Sequence, residues 1–302
     1  MAKNDNFKLE DISGKSLKQR LFPYLCIAPS MFFMCLYTLY PCIYLFFLSF
    51  QNWNLLADMK WVGIENYVSI LSDAKFIAAF WNTLYYTAVR LPIMLLLSTL
   101  LACWFKGTSR INSLSRAAIF LPHLISFVTV SFIFQMFMNP HYGVFNFVLK
   151  TIGLPTSRWL QDGATAMNCI IFITLWKSLG YDMLLILSAM SQISPEYYEA
   201  ASLDNAKKMS VFTKITLPLI SPQLFSLSIT SAIGSFKVYD AVNMLTGGGP
   251  GTATQVLVIL VRQWFSNQRL GYSAAAGMIL LLIVLLITAF QTIVVSKRVH
   301  YQ

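Results

Sequence analysis

Long runs of apolar residues, joined by short polar connections, make up most of this chain. An α-helix needs about 20 such residues to cross the hydrocarbon layer of a membrane. Six runs reach this length and predict spanning helices at about residues 22–50, 77–105, 117–138, 166–190, 217–242 and 271–296. The pattern therefore predicts an all-α membrane protein, a polytopic bundle of about six transmembrane helices.

Composition agrees with a lipid environment. Hydrophobic residues make up 57% of the 302 residues and charged residues only 11%, with a mean hydropathy of +0.62. A soluble domain carries about 25% charged residues, so we expect lipid to cover this chain. A net charge of +10 would favour nucleic acid as the partner of a soluble protein. Here the basic residues flank the apolar runs, and no nucleic-acid partner is expected.

The lysines and arginines between the runs predict the orientation of the chain. One side would hold thirteen basic residues, Lys3, Lys8, Lys15, Lys18, Arg20, Lys106, Arg110, Arg116, Lys207, Lys208, Lys214, Lys297 and Arg298. The other would hold six, Lys60, Lys75, Lys150, Arg158, Arg262 and Arg269. Both termini are thus predicted to be cytoplasmic, with an N-terminal tail at 1–21, a transmembrane domain at 22–296 and a C-terminal tail at 297–302.

Motifs for catalysis and for metal binding are missing from the sequence. There is no GxxxxGK[ST] loop for nucleotide phosphates, and the GTATQV stretch after Gly251 lacks the lysine of such a loop. The three histidines and five cysteines have no metal-ligand spacing. No connection exceeds about 30 residues, which is too short for a separate catalytic domain. We therefore expect no catalytic residue, no metal and no cofactor bound by this chain.

The connection between the fourth and fifth runs, at about 193–222, has helical features of its own. Pro195 followed by Glu196 and Glu199 favours a helix start, with carboxylates near the positive end of the dipole. The alanine pair at 200–201 leaves a flat face that another protein surface could approach. Periodicity alone leaves equally open that this is a surface helix packed on its own bundle.

The same connection contains a candidate helix end and a second apolar face. Asn205 tolerates left-handed backbone geometry and could end the first helix. Beyond it, apolar residues recur at helical spacing until a proline marks entry into the membrane. These residues are Val211, Phe212, Ile215, Leu217 and Pro218.

This connection resembles the EAA motif of binding-protein-dependent ABC transporter permeases, E-A-A-x-x-x-G followed by I-x-L-P. The residues in register are Glu199, Ala200, Ala201, Asp204, Ala206, Phe212, Ile215, Leu217 and Pro218. The glycine of the motif is replaced by Asn205, the next best residue for that backbone conformation. The resemblance implies a cytoplasmic coupling loop at about 193–218.

Three further segments resemble the carbohydrate branch of these permeases, in the expected order. They are APSMFF…YPCIYLFFLSFQNW at 28–53, WVGIENYVSIL with FWNTLYYT between 61 and 87, and LTGGGPGTATQVLV at 245–258. The last is similar to a segment of the maltose-type and glycerol-phosphate-type first permease subunits. Together with the EAA motif, the resemblance covers nearly the whole chain.

The resemblance implies the rest of an import system in a bacterial cell (inner) membrane. It implies a second permease subunit, two cytoplasmic ATP-binding subunits that hold ATP and Mg, and an extracellular solute-binding protein that delivers a sugar or oligosaccharide. The coupling loop would dock on an ATP-binding subunit. ATP-driven closure of the ATP-binding subunits would then switch the pore between inward- and outward-facing states.

Charged residues inside the runs are candidates for the substrate pathway, since ionisable groups in a membrane usually face the bundle interior or water. The candidates are Arg90, Lys177, Asp182, Lys237 and Asp240. Lys237 and Asp240 are predicted to share one helix face. Lys177 and Asp182 lie about 140° apart around a helix, so we expect different partners for them. The alternative interpretation of these charges is pairing between helices, or snorkelling near a membrane interface.

The resemblance to maltose-type permeases implies a sugar site on the fourth and fifth spans. The resembling positions are Trp176, Leu179, Gly180, Met183, Ser235, Phe236 and Lys237. Sugars bind by aromatic stacking and by hydrogen bonds to hydroxyls, which also makes some residues chemically suitable. These are Trp176, Tyr181, Phe236, Tyr239 and Asn243, with Asp240 among the charged candidates.

Two alternatives stay open. An ABC permease for another solute class would also contain the coupling loop, although the GGGP segment at 247–250 and the first run favour a sugar. A channel or transporter that works without ATP would also explain charges inside the membrane, but it would not need a docking helix.

Overall fold

The computed structural model describes residues 17–56 and 58–295. The predicted C-terminal tail and most of the predicted N-terminal tail lie outside these residues. The long helices are α1 (Leu17–Met34), α2 (Tyr40–Leu48), α4 (Ala74–Trp104), α5 (Arg110–Leu124), α6 (Phe127–Phe137), α8 (Ala166–Ser191), α12 (Ser221–Phe236), α14 (Leu257–Ser266) and α15 (Leu270–Phe290). The short ones are α3 (Glu65–Leu71), α7 (Val144–Thr151), α9 (Pro195–Leu203), α10 (Lys208–Val211), α11 (Leu217–Leu219) and α13 (Asp240–Leu245).

A few non-α elements complete the described chain. Strands β1 (Gln51–Asn52) and β2 (Lys60–Trp61) pair antiparallel. Wider π-helical turns at Cys35–Leu39 and Phe212–Thr216 continue α1 into α2 and α10 into α11, and another at Gln291–Val295 follows α15. One tight turn lies at Trp159–Gln161.

The spanning helices agree with the apolar runs. Within the described residues, four helices are long and apolar enough to cross a membrane, Leu21–Leu48, Ala74–Trp104, Ala166–Ser191 and Leu270–Ile293. Two bent helix pairs bring the number to six if each pair is one span. The prediction of a mostly helical membrane bundle with about six spans is confirmed at this level.

The third predicted span, 117–138, is not one helix. Helix α5 begins earlier, at Arg110, and α6 leaves it at an angle of 97°. At the break, Ile125 and Ser126 both have a ψ of 138°, an extended conformation. Pro122 also removes a backbone donor from the last turn of α5. The apolar run is continuous although the helix is not.

The fifth predicted span, 217–242, also differs from the structure. A helix at 208–219 meets α12 at an angle of 63° near Ile220, and Pro222 occupies the first turn of α12. Helix α12 ends at Phe236, before the predicted limit. The connection that follows contains α13 and the ten-residue apolar helix α14, which the sequence interpretation missed because it is too short to qualify as a span.

The connections group at two ends of the bundle. At the end we call the α9 end, Lys106 Nζ from the α4–α5 connection lies 3.8 Å from the ring centroid of Tyr198 on α9. At the opposite end, the Asn82 side chain donates to the carbonyl oxygens of Thr252 and Gln255. The chain therefore alternates between two surfaces, as a multispan protein does.

Helices α4 and α8 form the centre of the bundle. Tyr86 and Met94 of α4 pack with Ile170 and Ile173 of α8 in the largest buried cluster. By contrast, the first spanning helix has only 6% of its most apolar window buried inside the chain. The core thus positions α4, α8 and α12 tightly, while the first span leaves its apolar surface open.

The close approach of α15 to the β1 strand provides a stability test. A Cβ at Gly271 would overlap the Gln51 carbonyl oxygen, which accepts a hydrogen bond from Asn66 Nδ2 at 2.9 Å. Gly271→Ala should therefore lower the free energy of unfolding by about 1–3 kcal/mol, the usual cost of overpacking. A lower melting temperature of the full chain in detergent is expected. Gly277→Ala is the control, because its Cβ would lie 3.4 Å from Leu45 Cδ2. Equal melting temperatures for the two variants would contradict this packing.

Candidate functional site

An open cavity of about 660 Å³, lined by charged, hydroxyl and apolar side chains, lies between α4, α8 and α12. The α5–α6 break and the chain around α13 also contribute to its wall. Its charged lining residues are Arg90, Lys177, Asp182, Lys237 and Asp240. All five charged candidates from the sequence therefore meet in one place, although they come from three spans and the start of α13.

The Arg90 guanidinium joins three helices through hydroxyl groups. Its Nη1 donates to Ser231 Oγ at 3.0 Å and to Ser235 Oγ at 3.3 Å, both on α12. Its Nη2 donates to Ser178 Oγ on α8 at 3.0 Å. Its Nε is buried and has no partner among the described residues. The guanidinium is thus fixed by three hydrogen bonds, while its Nε–H donor has no partner among the described residues.

Asp182 is the second charged residue of this part of the cavity wall. Its side chain is buried on α8, one turn beyond Ser178. Ser178 Oγ accepts from Arg90 Nη2 and lines the same cavity. A solute in the cavity therefore meets a fixed guanidinium, a hydroxyl and a carboxyl group.

Lys177 has a different set of partners. Its Nζ donates to the carbonyl oxygens of Pro122, His123 and Ile125 at 3.1, 2.9 and 2.6 Å. These carbonyls lie at the α5–α6 break. The expectation that Lys177 and Asp182 serve different partners is confirmed.

Helix α12 presents a stripe of polar side chains to the cavity, which the sequence interpretation missed. Gln223, Ser226, Thr230 and Ser231 all line it. The spacings of three and four between Gln223, Ser226 and Thr230 follow one face of a helix, and Ser231 lies at the edge of that face, about 100° from Thr230. This spacing of polar residues within an apolar run was the pattern that could have identified them.

Some predicted pathway residues line the cavity and others do not. Tyr181, Lys237, Tyr239 and Asp240 are part of its wall. The ring of Tyr181 stacks on His123, with 4.7 Å between the centroids. Ser235 lies behind the wall and accepts a bond from Arg90.

The remaining predicted pathway residues pack elsewhere. Met183 and Phe236 are buried in the apolar core. The Trp176 ring contacts Phe134, with centroids 5.2 Å apart. Gly180 touches the α5 backbone instead of the cavity. The chemically suitable residue Asn243 accepts a hydrogen bond at its Oδ1 from Arg262 Nη1, 3.1 Å away.

Lys237 and Asp240 do not share a helix face, which corrects the prediction. Lys237 caps the end of α12, and Asp240 begins α13. Tyr239, between the two helices, has φ and ψ of −121° and −61°. The two charged side chains line the cavity from a non-helical connection, where residues three apart in the sequence need not be neighbours.

A second candidate surface is α9, at the end of the bundle named after it. Ser194 caps its start by accepting from the Glu196 N–H, and Pro195 takes the first helical position. Asn205 has a φ of 53°, and its N–H donates to the Ser202 carbonyl. The next N–H, of Ala206, donates to the Ala201 carbonyl. This pair of bonds is the usual left-handed helix end, so the predicted helix start and helix end are confirmed.

Helix α9 is attached to the bundle on one side and open on the other. The Tyr198 hydroxyl lies 3.2 Å from Thr216 Oγ1, and Ala201 is buried. The predicted coupling residues Glu199, Ala200, Asp204 and Asn205 are exposed, whereas Ile215, Leu217 and Pro218 are partly buried. A shallow groove of about 610 Å³ separates α9 from α10.

The glycine-rich segment at 245–256 forms a tight loop at the opposite end. Gly247 and Gly248 have φ of 62° and 97°, values that favour glycine. Thr83 Oγ1 on α4 accepts from the Leu257 N–H at 3.0 Å and fixes the exit of the loop.

A bundle of membrane-spanning helices with a cavity lined by charged and hydroxyl groups is the arrangement expected of a transport protein. Comparison with known families agrees. The chain belongs to the family of binding-protein-dependent transport system inner membrane components, whose model matches residues 19–300. The predicted family resemblance is thereby confirmed, together with a multi-pass location in the inner membrane.

Curated relatives align over nearly their whole length. The chain is 32% identical over 280 residues to the probable ABC transporter permease protein YurN of Bacillus subtilis (strain 168), covering 91% of this chain and 96% of the relative. It is 30% identical to the arabinooligosaccharides transport system permease protein AraP of the same strain, covering 88% and 86%. It is 29% identical to the sn-glycerol-3-phosphate transport system permease protein UgpA of Agrobacterium fabrum (strain C58 / ATCC 33970), covering 93% and 97%.

Solved structures share the fold. A chain of a bacterial ABC transporter involved in the import of the acidic polysaccharide alginate is 25% identical and has a TM-score of 0.83, with 94% of this chain and 98% of that chain covered. A chain of a bacterial alginate ABC transporter, in complex with an alginate pentasaccharide-bound periplasmic protein, is 24% identical and has a TM-score of 0.82, with 92% and 96% covered.

The helix end at Asn205 can be tested directly. Asn205→Val should cost about 1–2 kcal/mol, because a branched side chain disfavours left-handed geometry. Faster hydrogen–deuterium exchange across α9 in the full chain is expected. Asn205→Gly should leave exchange unchanged or slower, because glycine adopts this φ without strain. Equal protection of α9 in the two variants would show that the left-handed residue does not fix the helix end.

Proposed function

We propose that this chain is the membrane-spanning permease subunit of an ATP-driven ABC importer that translocates a sugar or oligosaccharide. The observation that carries the proposal is the polar cavity, in which hydroxyls, a fixed cation and a buried carboxylate face one space inside an apolar bundle. Family membership and the named substrates of its relatives support the same conclusion. A sugar offers hydroxyls that both donate and accept, so it can exchange hydrogen bonds with each of these groups.

The pathway residues in this proposal are those that the cavity brings together. Arg90 and Asp182 supply the charged donor and acceptor, and Ser178 and Ser231 supply hydroxyls. Tyr181 and Tyr239 present aromatic rings on which a sugar ring can stack. Trp176, Gly180, Met183 and Phe236 act through packing instead.

The energy source and the partners belong to the proposal as well. A second permease subunit would complete the pore, and an extracellular solute-binding protein would deliver the sugar. ATP and Mg would bind to two separate cytoplasmic subunits, and this chain would hold no cofactor. The α9 end would face the cytoplasm, since Lys106, Arg110, Arg116, Lys207, Lys208 and Lys214 follow or precede the spans there.

Helix α9 is the proposed contact with an ATP-binding subunit. Its exposed residues Glu199, Ala200 and Asp204 form a face that no other described segment of the chain covers, while Tyr198 holds the opposite face on the bundle. Because α9 lies between α8 and α12 in the sequence, force applied to it would reach two walls of the cavity.

Transport by the reconstituted importer tests the whole proposal. Proteoliposomes that contain this chain with its partner subunits and binding protein should accumulate sugar only when ATP is supplied. Removal of ATP should abolish uptake even when a sodium or proton gradient is present. Accumulation by this chain alone, driven by an ion gradient, would overturn the proposal.

Substitutions on α9 test the coupling surface. Ala200→Trp should displace the docked subunit, and central interface residues typically cost about 2 kcal/mol or more. Co-purification of the ATP-binding subunits and sugar uptake should both fall, while the melting temperature of the chain stays unchanged. Ala74→Trp, an exposed alanine at the opposite end, is the control and should retain the subunits. Full co-purification with Ala200→Trp would exclude α9 as the contact.

Substitutions in the cavity test the pathway. Asp182→Asn and Arg90→Gln each weaken hydrogen bonds to a charged group, which are worth about 1.5–3 kcal/mol. Sugar uptake should fall by roughly tenfold or more, with the ATP-binding subunits still attached. Thr151→Ala is the control, because this hydroxyl lies on exposed α7 and donates only to the Phe147 carbonyl. Unchanged uptake in both cavity variants would remove these residues from the pathway.

A further inference from the structure

The break between α5 and α6 creates an unusual demand for hydrogen-bond donors. A helix that ends leaves its last carbonyl oxygens without backbone partners. Here the chain turns by 97° after Leu124, inside a segment predicted to span the membrane. Hydrocarbon supplies no donor to such oxygens, and each unsatisfied group costs several kcal/mol. The break can persist only if the protein, or water in the adjoining cavity, supplies donors.

Lys177 supplies these donors from the middle of α8. Its ammonium group has three N–H donors, and three carbonyl oxygens lie within hydrogen-bond distance, those of Pro122, His123 and Ile125. An ammonium group inside a span is itself costly without partners. The carbonyl oxygens and the partly buried ammonium group therefore satisfy each other.

The same face of α8 contacts α5 at two further points. Gly180 lies three residues after Lys177, and a Cβ there would overlap the Ile119 carbonyl and Phe120 Cα. Tyr181 follows, and its ring stacks on His123 with an interplanar angle of 10°. Lys177, Gly180 and Tyr181 thus hold the last turn of α5 through a cation, a close backbone approach and a ring contact. We call these three residues the α8 clamp.

We propose that Lys177 is a positioning residue whose ammonium group acts as a tethered cation, fixing the α5–α6 break and holding His123 at the cavity wall. Carbonyl oxygens at the ends of broken helices coordinate free monovalent cations in other transporters. In this chain a side chain fills that place. The geometry of the third span is therefore independent of sodium and potassium, whatever solute the cavity admits.

The distance between α5 and α6 measures the state of the break. Spin labels are attached at Leu114→Cys on α5 and Phe132→Cys on α6, both exposed positions, in the full chain with its five native cysteines replaced by alanine. Dipolar spectroscopy in lipid nanodiscs then gives the distance distribution. The parent should show one narrow distribution that is the same in sodium and in potassium. Lys177→Ala should shift it toward longer distances or broaden it, as the bare carbonyls regain backbone partners and the span straightens.

Chemical rescue separates a tethered cation from a merely structural lysine. The n-propylammonium ion replaces the atoms removed by Lys177→Ala and should restore the parent distribution. Tetramethylammonium has the same charge but no N–H donor, and it should not. Lys237→Ala, which removes a lysine from the same cavity without touching the carbonyl cluster, should keep the parent distribution.

Two results would overturn the proposal. One is a parent-like distribution in Lys177→Ala, and the other is equal restoration by the two ammonium ions. Should Lys177→Ala fail to fold, Gly180→Ala keeps the lysine but pushes α5 away from α8. A shifted distribution in that variant supports the α8 clamp, and a parent-like one contradicts it.

Discussion

The interior of a membrane offers no hydrogen bonds, and this constraint governs every polar or irregular feature of the chain. Several hydroxyls within the spans donate a hydrogen bond to a carbonyl oxygen of their own helix. Thr83 donates to the Ala79 carbonyl and Ser98 donates to the Met94 carbonyl. The sharp break after α5 obtains its donors from Lys177. Several polar groups that have no such local solution, among them Arg90, Ser178 and Asp182, line one cavity, where the guanidinium keeps an unpartnered buried Nε. The candidate site is thus the place where the bundle tolerates polarity.

The connectivity places this cavity under the influence of one surface helix. Thr174, Ser178 and Asp182 on α8 face the cavity, and α8 ends at Ser191, just before α9 begins. After α9, the chain passes through one bent helix into α12, which supplies the hydroxyls on the other wall. Helix α9 is therefore joined covalently to both walls, and it is also fastened by Tyr198 to Thr216. A displacement of α9 would therefore change the position of α8 relative to α12.

Average properties of the chain could be predicted from the sequence, and pairwise properties could not. Hydropathy located the six runs because solvation by lipid depends on composition over a whole span. The breaks near Ile125 and Ile220 lie within runs whose average hydropathy stays high, so an average over the run conceals them. The left-handed end of α9 could be predicted because the chemistry of Asn205 alone decides it. The contact between Arg90 and Ser178 joins residues 88 positions apart, and no local pattern identifies such a partner. For the same reason the resemblance places Gly180 at the sugar site, whereas in the structure Gly180 contacts the backbone of α5.

The stripe of hydroxyls and amide on α12 has a consequence for how a solute moves. A serine or threonine hydroxyl both donates and accepts, and it rotates freely about its C–O bond. Water that leaves the cavity and a solute that enters it can therefore form hydrogen bonds with the same hydroxyls in turn, with no change in the backbone. Hydrogen-bonding side chains of similar strength follow one another along this helix face, so a solute binds none of them much more tightly than the next. A transport pathway requires such weak and similar binding sites, because the solute must be bound weakly enough to leave.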